Sequence, residues 1–176
     1  MIKEIGLDVG SPNLPLNDPL FGGINAELLF VMKAPEADAD PRLTNTRFLS
    51  LDNDDDGAAN IFDACRRNDI ARSRCVAWNI CPFPIDGKNP SPSELRRAAP
   101  YTPRVLSLLP NLKVVVLHGG PAQDGWDHRL LGRRNGVKVI TGASPSPPGI
   151  NRQTNRSSFE RAIRDGATHL SRATDI

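Results

Sequence analysis

Four short apolar segments alternate with helix-like stretches, and each segment ends in a loop of helix-breaking residues. The segments are AELLFVM (26–32), CVAWNI (75–80), KVVVLH (113–118) and VKVIT (137–141). Continuous apolar runs of this length are typical of central parallel strands that are buried on both faces. The pattern therefore predicts a doubly wound α/β fold, in which helices cover both faces of a four-stranded parallel sheet through right-handed crossovers.

Helical patterns fill the intervals between the predicted strands. Capping boxes at Ser91–Glu94 and Ser157–Glu160 begin two of the helices. Pro100 and Pro103 should kink or divide the first of these two. Residues 1–25 are rich in Pro, Gly and Asn and are expected to form an arm along the sheet edge, within one domain spanning 1–176. The predicted helices cover 58–69, 91–109, 119–131 and 157–172.

Composition excludes several classes of protein. The chain is 39% hydrophobic and 24% charged, as in ordinary soluble globular proteins. No apolar run approaches the ~20 residues that span a bilayer, and the start MIKEIGLDVG lacks the apolar core of a signal peptide. We therefore expect a cytoplasmic protein without a membrane partner. The absence of heptads or a long apolar stripe favours a monomer.

The cysteines do not suggest a metal centre. Cys65, Cys75 and Cys81 form neither a CxxC pair nor an even set. We expect three free thiols, no disulfide framework and no cofactor.

Charge is unevenly distributed, although the net charge is only +2. Eight acidic residues lie between Glu36 and Asp63, and eight basic residues lie between Arg129 and Arg164. A basic segment beside an acidic one fits a phosphate-binding surface next to a chemical site. A solvated charged face is the alternative interpretation.

Four breaker-rich loops follow the four predicted strands. Because ligands bind outside the carboxyl ends of strands in open α/β sheets, we expect these loops to converge on one crevice. The loops, with the strand residues that lead into them, are KAPEADAD (33–40), NICPFP (79–84), HGGP (118–121) and GASPSPP (142–148).

The same loops, in this order, resemble the uracil-DNA glycosylase superfamily. VMKAPEAD is similar to a Gly-Glu-Ala-Pro-Gly-type first motif, VAWNICPFP to the strand whose Asn reads uracil, and VITGASPSPPGIN to a closing His-Pro-Ser-Pro motif. FLSLDNDDDGAAN resembles a segment of a divergent bacterial branch. The resemblance covers about 26–151. It implies a three-layer α/β/α sandwich that hydrolyses the N-glycosidic bond of uracil, or a related deaminated base, in DNA without a metal, in base excision repair.

Departures from the family pattern concern residues near the chemistry. Lys33 replaces an acidic or amide residue in the first motif, and Ser144 replaces the histidine of the last. The N-terminal cysteines of the iron–sulfur branch are absent, so no cluster is implied. A catalytically weak or inactive DNA-binding member of the fold is therefore an alternative to an active enzyme.

Five residues are expected to bind the base, with Asn79 as the reader of the base edge. A carboxamide can accept from uracil N3–H and donate to O4. Phe48 would stack on the extruded base, while Ala34 and Lys33 come from the first motif. His118 lies at a strand end and would partly replace the missing imidazole. Structural roles in the core are the alternatives for Asn79, Phe48 and His118.

Catalysis is assigned to the acidic loop and to the closing motif. Asp52 or Asp55 would stabilise positive charge on the sugar or orient water, with Asn53 beside them. Ser144 would donate a hydrogen bond to the base or to a phosphate. The alternative for the aspartates is stabilisation of a helix N-terminus.

The closing motif also predicts a rigid ridge that presses on the DNA backbone. Proline fixes φ and removes a donor, and apolar or proline wedges help to unstack bases. The predicted DNA-binding residues are Pro145, Ser146, Pro147, Asn151, Arg152 and Arg156.

The acidic loop also partly matches a calcium-binding pattern. The positions that match are Asp52, Asp54, Asp56, Gly57 and Asp63. Ala59 and the Asp rather than Glu at the last position do not fit that pattern. A metal-dependent phosphohydrolase using Asp52–Asp56 is the remaining alternative.

Overall fold

A four-stranded parallel sheet forms the centre of the computed structural model, which describes residues 2–10, 14–35, 48–131 and 136–172. Its strands are β2 (Leu28–Met32), β4 (Cys75–Asn79), β5 (Val114–His118) and β6 (Lys138–Gly142), in the spatial order β4-β2-β5-β6. Two further strands, β1 (Leu16–Asn17) and β3 (Phe48–Leu49), pair with each other in parallel.

Six helices surround the central sheet in the part of the chain that is described. They are α1 (Ile2–Val9), α2 (Asp56–Arg67), α3 (Pro92–Ala98), α4 (Tyr101–Ser107), α5 (Gly120–Asp124) and α6 (Gln153–Arg172). None of them is long and apolar enough to cross a membrane.

Alternating side chains of the central strands divide the core into two halves. Leu29, Val31 and Trp78 pack on the face covered by α1, α3, α4 and α5. Leu28 and Phe30, which alternate with Leu29 and Val31 along β2, pack on the opposite face, which is covered by α2 and α6. Because successive side chains of a strand point to opposite faces, apolar residues at every position require helices on both sides. The predicted three-layer α/β/α sandwich is confirmed.

The strand predictions agree with the structure to within two residues at each end, but the helix predictions are mixed. The Ser91–Glu94 capping box is confirmed, since each side chain reaches the other residue's backbone N–H. The helix is divided at Pro100, between α3 and α4, as predicted, whereas Pro103 lies in the first turn of α4 and does not divide it. The helix predicted over 119–131 is only α5, followed by a 3₁₀ turn at His128–Leu131.

The prediction of a second capping box at Ser157–Glu160 is wrong. Ser157 lies inside α6, which begins at Gln153 directly after a 3₁₀ turn at Gly149–Asn151. The helical N–H of Arg156 already bonds to the carbonyl of Arg152 at 3.0 Å. A helix that has started by this point needs no cap at Ser157.

The segment expected to form an N-terminal arm contains α1 and β1. The side-chain oxygen of Asn17 in β1 accepts a hydrogen bond of 3.3 Å from the backbone N–H of Ala77 in the edge strand β4. The arm thus contacts the sheet at this edge.

Candidate functional site

Four residues at the carboxyl ends of the central strands form one row across the sheet. Asn79 pairs with Met32, and His118 pairs with Gly142. In the pairing of β2 with β5, Val31 is opposite Leu117, so the next residues, Met32 and His118, are also level. Residues that are level on adjacent parallel strands point to the same face. The convergence of the strand ends expected from the sequence is therefore present.

Asn79 is the last residue of β4 and is only 3% exposed. It shares the face of Cys75 and Ala77, which pack against α2 and α6. Among the side-chain hydrogen bonds between described residues, none involves the Asn79 carboxamide. A buried amide of this kind gains by binding a polar ligand at the sheet end.

His118 lies in the same row but is enclosed. Its ring is 2% exposed and lies between the rings of Phe30 and Phe159, with centroid distances of 5.7 and 5.5 Å. Nδ1 is 3.3 Å from the carbonyl oxygen of Ala143. Burial lowers the pKa of His118 to about 4, although the bond to Ala143 opposes this shift.

The closing loop, residues 142–148, is held through its backbone carbonyls. The Gly142 oxygen accepts from Gly119 N–H at 2.8 Å and from the side-chain amide of Gln123 at 3.0 Å. The Pro145 oxygen accepts from Asn60 Nδ2 at 2.8 Å. Together with the His118 contact, these donors fix the backbone on both sides of Ser144.

Ser144 packs closely against the loop that follows β5. A Cβ on Gly119 would lie 3.3 Å from the Ser144 Cβ, and Gly119 has a φ of +80°. Both the space and the backbone conformation favour glycine here. The Ser144 hydroxyl accepts from the N–H of Ser146 at 3.2 Å, which braces the turn.

The acidic loop meets the closing loop at Gly57. Asp55 caps α2 by accepting from Ala58 N–H at 2.8 Å. A Cβ on Gly57 would lie 2.6 Å from the Ser146 hydroxyl and 3.1 Å from the Asp55 carboxylate. The carboxylate and the hydroxyl therefore border the same small space beside Gly57. The helix-capping alternative for Asp55 is present, and it places Asp55 beside the closing loop.

Asp52 points in another direction, towards the arm. Arg72 donates to Asp52 at 2.8 Å and to Ser50 Oγ at 2.8 Å, and it also binds Asp18. Although burial opposes it, hydrogen bonds from Ser50, the Leu20 N–H and Arg72 hold the pKa of Asp18 below its ordinary value. Asp52 is thus part of an ion-pair cluster of Asp18, Ser50, Asp52 and Arg72, here called the arm cluster.

Phe48 and Asn53 lie next to the arm cluster. The Asn53 amide donates to the Phe48 carbonyl at 3.2 Å, which closes the loop between β3 and α2. The Phe48 side chain is 37% exposed. An exposed aromatic ring leaves a surface on which a base can stack.

Lys33 and Ala34 follow β2. The ammonium of Lys33 donates to the carbonyl of Lys88 at 3.0 Å, and Ala34 is buried. The backbone of Cys81 continues the pairing beyond the strand by donating to the Lys33 carbonyl at 3.0 Å. The rest of the first motif, 36–40, lies outside the described residues, as does 41–47.

A cavity of about 420 Å³ opens beside the closing loop, between α5 and the start of α6. Ser144, Gly149 and Ser158 contribute to its lining, and Asn79 and Phe48 do not. Its lining supplies hydroxyl and amide groups. The cavity therefore extends the site on the β6 side of the sheet.

The predicted DNA-binding residues differ in exposure. Pro147, Asn151 and Arg152 are exposed, whereas Ser146 and Arg156 are half-buried. Pro145 is buried, with its carbonyl held by Asn60. Of the basic set that extends this surface, Arg129 is paired with Asp127 at 2.8 Å, and Arg133 and Arg134 lie outside the described residues.

Several residues that organise the site were missed from the sequence. Asn60, Gln123 and Arg72 bind partners far away in the chain, so no local pattern indicated them. Gly57 was noted only as part of the partial calcium-binding pattern. The closeness of Ser146 and Asp55 explains better why a residue without a side chain is found at this position. In the described ranges, no group of three or more His, Cys, Asp or Glu residues is arranged to hold a metal ion. The three cysteines are free and buried.

The fold and the site define a class of protein. Polar side chains gathered at the carboxyl ends of a parallel sheet are typical of ligand-binding α/β proteins, many of them enzymes. The profile of the Uracil DNA glycosylase superfamily matches residues 19–166, and the chain belongs to this superfamily. Membership indicates a hydrolase of the DNA glycosylase type, with DNA as its partner. A search of curated proteins gives no individual match.

Proposed function

We propose that the protein is a DNA glycosylase that hydrolyses the N-glycosidic bond of uracil, or of a related deaminated base, without a metal. The observation that carries the proposal is the register of the strand ends, in which the buried Asn79 is level with Met32 and His118 is level with Gly142, the first residue of the closing loop. Such an enzyme must extrude the base from the stack, read its edge and stabilise charge on both fragments.

Asn79 would read the base. Its carboxamide is suited to uracil, because it can accept from N3–H and donate to O4, whereas cytosine presents the opposite pattern. Phe48 would stack on the base, with Ala34 and Lys33 bordering the pocket. The burial of Asn79, which is 3% exposed, supports this role, since a site built to hydrogen-bond a substrate discriminates strongly between matched and mismatched donors.

The chemistry would be a hydrolysis at the anomeric carbon of the sugar. Water supplies the new C–O bond, the C–N bond breaks, and its electron pair leaves with the base, which is later protonated. A carboxylate stabilises the positive sugar, and a donor stabilises the departing base. Asp55 is the better placed of the proposed carboxylates, because it lies beside Ser146, while Asp52 is paired with Arg72. Asn53 would hold the acidic loop, and Ser144 would be the donor.

The closing loop would contact the DNA backbone. Pro147, Asn151 and Arg152 are exposed, Ser146 and Arg156 are half-buried, and all five residues lie between the closing loop and the first turn of α6. Arginines bind phosphates well because the guanidinium presents several donors in a fixed plane. The buried Pro145 would set the direction of this segment rather than touch the DNA.

The direct test is cleavage of labelled oligonucleotides with one uracil, hypoxanthine or xanthine, single- and double-stranded, with and without chelator. The proposal expects an alkali-labile site at the deaminated base and equal rates with chelator. Cleavage of no substrate in the panel would contradict it. Loss of activity with chelator would favour the phosphohydrolase alternative.

A non-catalytic DNA-binding role is the second candidate. The observation that favours it is the absence of an accessible imidazole beside Ser144, since His118 is enclosed. A neutral hydroxyl is a weaker electrostatic partner than a protonated histidine. Tight binding of uracil-containing DNA without strand cleavage after alkali would support this candidate.

A further inference from the structure

His118 is a buried polar side chain that the proposed chemistry does not use. The rings of Phe30 and Phe159 flank it, and it is 2% exposed. A ring enclosed in this way offers almost no surface to an extruded base. Its role must be sought in what it already touches.

The contacts of the ring define its tautomer. A carbonyl oxygen accepts hydrogen bonds and cannot donate them, so the Nδ1 that lies 3.3 Å from the Ala143 oxygen carries the hydrogen. In the neutral ring Nε2 is then a bare acceptor, and it is buried without a hydrogen-bond partner in the described part of the chain. Burial lowers the pKa of the ring to about 4, against the opposing effect of the Ala143 hydrogen bond, so the ring is neutral at physiological pH.

The carbonyl that His118 holds belongs to the residue before Ser144. The neighbouring carbonyls of Gly142 and Pro145 are held by Gly119, Gln123 and Asn60. The Ser144 backbone is therefore anchored from β5, α5 and α2 at once. Removal of the Nδ1–H donor would leave the Ala143 carbonyl without its side-chain partner next to the proposed donor of the site.

We propose that His118 is a positioning residue that acts as the neutral Nδ1–H tautomer and holds the Ala143 carbonyl, so that Ser144 keeps its place in the site. The catalytic consequence of this role rests on the proposed glycosylase function, whereas the structural role does not. His118 does not touch the base and transfers no proton. The hydrogen-bond donor to the leaving base is then Ser144.

Two substitutions distinguish the effect of the His118 hydrogen-bond donor from the effect of the packing of its ring. His118→Asn keeps an N–H donor at a distance from Cα similar to that of Nδ1, while His118→Phe keeps an aromatic ring without a donor. His169→Phe is the matched control, because the ring of His169 contacts the Gly136 carbonyl at 3.2 Å, in a turn that is not part of the site.

Three measurements on the full chain test the proposal. Long-range ¹H–¹⁵N spectra of the histidine rings should show His118 as the Nδ1–H tautomer. Amide exchange at Ser146, whose N–H binds the Ser144 hydroxyl at 3.2 Å, should speed up at least about tenfold in His118→Phe and much less in His118→Asn. Excision should fall roughly tenfold to a hundredfold in kcat in His118→Phe, with partial recovery in His118→Asn and no change in the control.

An Nε2–H tautomer in the wild-type spectrum would overturn the proposal, even if His118→Phe fails to fold. Unchanged exchange at the Ser146 amide in a folded His118→Phe variant would overturn it too. If the wild type excises no base, the proposed function fails. The tautomer and the exchange rates still decide the positioning role in that case.

Discussion

The side-chain amide of Asn60 donates a hydrogen bond of 2.8 Å to the carbonyl oxygen of Pro145. The two residues are 85 positions apart in the chain. This bond ties the first turns of α2 to the closing loop, close to the point where Gly57 meets Ser146. The acidic loop and the closing loop therefore form one structural unit.

Loss of this tie should reduce activity more than stability. Asn60→Ala leaves the Pro145 carbonyl without its partner, and we expect a cost of about 1 kcal/mol in the free energy of unfolding. Excision should fall by more than tenfold. Asn68→Ala is the control, because Asn68, which caps the C-terminus of α2, also donates at 2.8 Å, to the Ala64 carbonyl, away from the loop. Stability is measured by urea unfolding, and excision by single-turnover kinetics, in both variants. Equal excision rates in Asn60→Ala and Asn68→Ala would contradict the coupling between the acidic loop and the closing loop.

Gly57→Ala should act through Ser146. The new methyl group would lie 2.6 Å from the Ser146 hydroxyl, which can rotate away. Because alanine favours the helix, the free energy of unfolding should change by less than about 1 kcal/mol. Excision should fall to the level of Ser146→Ala, and the double variant should fall no further. Gly87→Ala, in an exposed loop, is the control. Additive losses of activity in the double variant would show that Gly57→Ala does not act through Ser146.

Asn79→Asp should impair uracil recognition. A carboxylate cannot donate to O4 of the base, and a charge buried at this position is costly. We expect at least a hundredfold loss in kcat/KM on uracil-containing DNA. Thermal unfolding should show that the variant is folded. Wild-type kinetics would remove Asn79 from the site.

His118 predicts a pH dependence of stability. Its pKa falls from 6.5 to about 4 on folding, so the unfolded chain takes up a proton first as the pH drops. The free energy of unfolding should therefore fall by about 2 kcal/mol between pH 7 and pH 5. Asp18 and Glu27, whose pKa values are lowered by folding from 3.8 and 4.5, lose their contribution only at lower pH. Urea titrations at several pH values give the free energy of unfolding of wild type and of His118→Phe. This free energy should fall more steeply between pH 7 and pH 5 in the wild type, and equal pH dependence would contradict the assignment.

Arg72→Met should loosen the arm. It leaves the carboxylate of Asp18, which is 8% exposed, without its cation, at a cost of about 2–3 kcal/mol. The arm should become sensitive to limited proteolysis. Arg74→Met is the control, because its partner Glu27 also pairs with Lys113. Asp18→Asn in the Arg72→Met background should restore part of the loss; no recovery would show that the pair is not the cause.

The sequence predicted those parts of the fold that depend on local pattern. Apolar runs locate all four central strands, and the loops after them carry Asn79 and Ser144 to one edge. It did not predict contacts between distant side chains. The Asn60–Pro145 bond and the arm cluster depend on packing that no periodicity encodes. The start of α6 was misplaced because a 3₁₀ turn, rather than a serine cap, precedes it.

The contact between Asn17 and β4 has a consequence for self-association. An edge strand with free backbone groups is a template on which another chain can add a strand. By accepting the N–H of Ala77, the Asn17 side chain occupies one of these groups along β4. The arm thus covers part of this edge, and a chain without the arm would expose the Ala77 N–H as a site for strand addition.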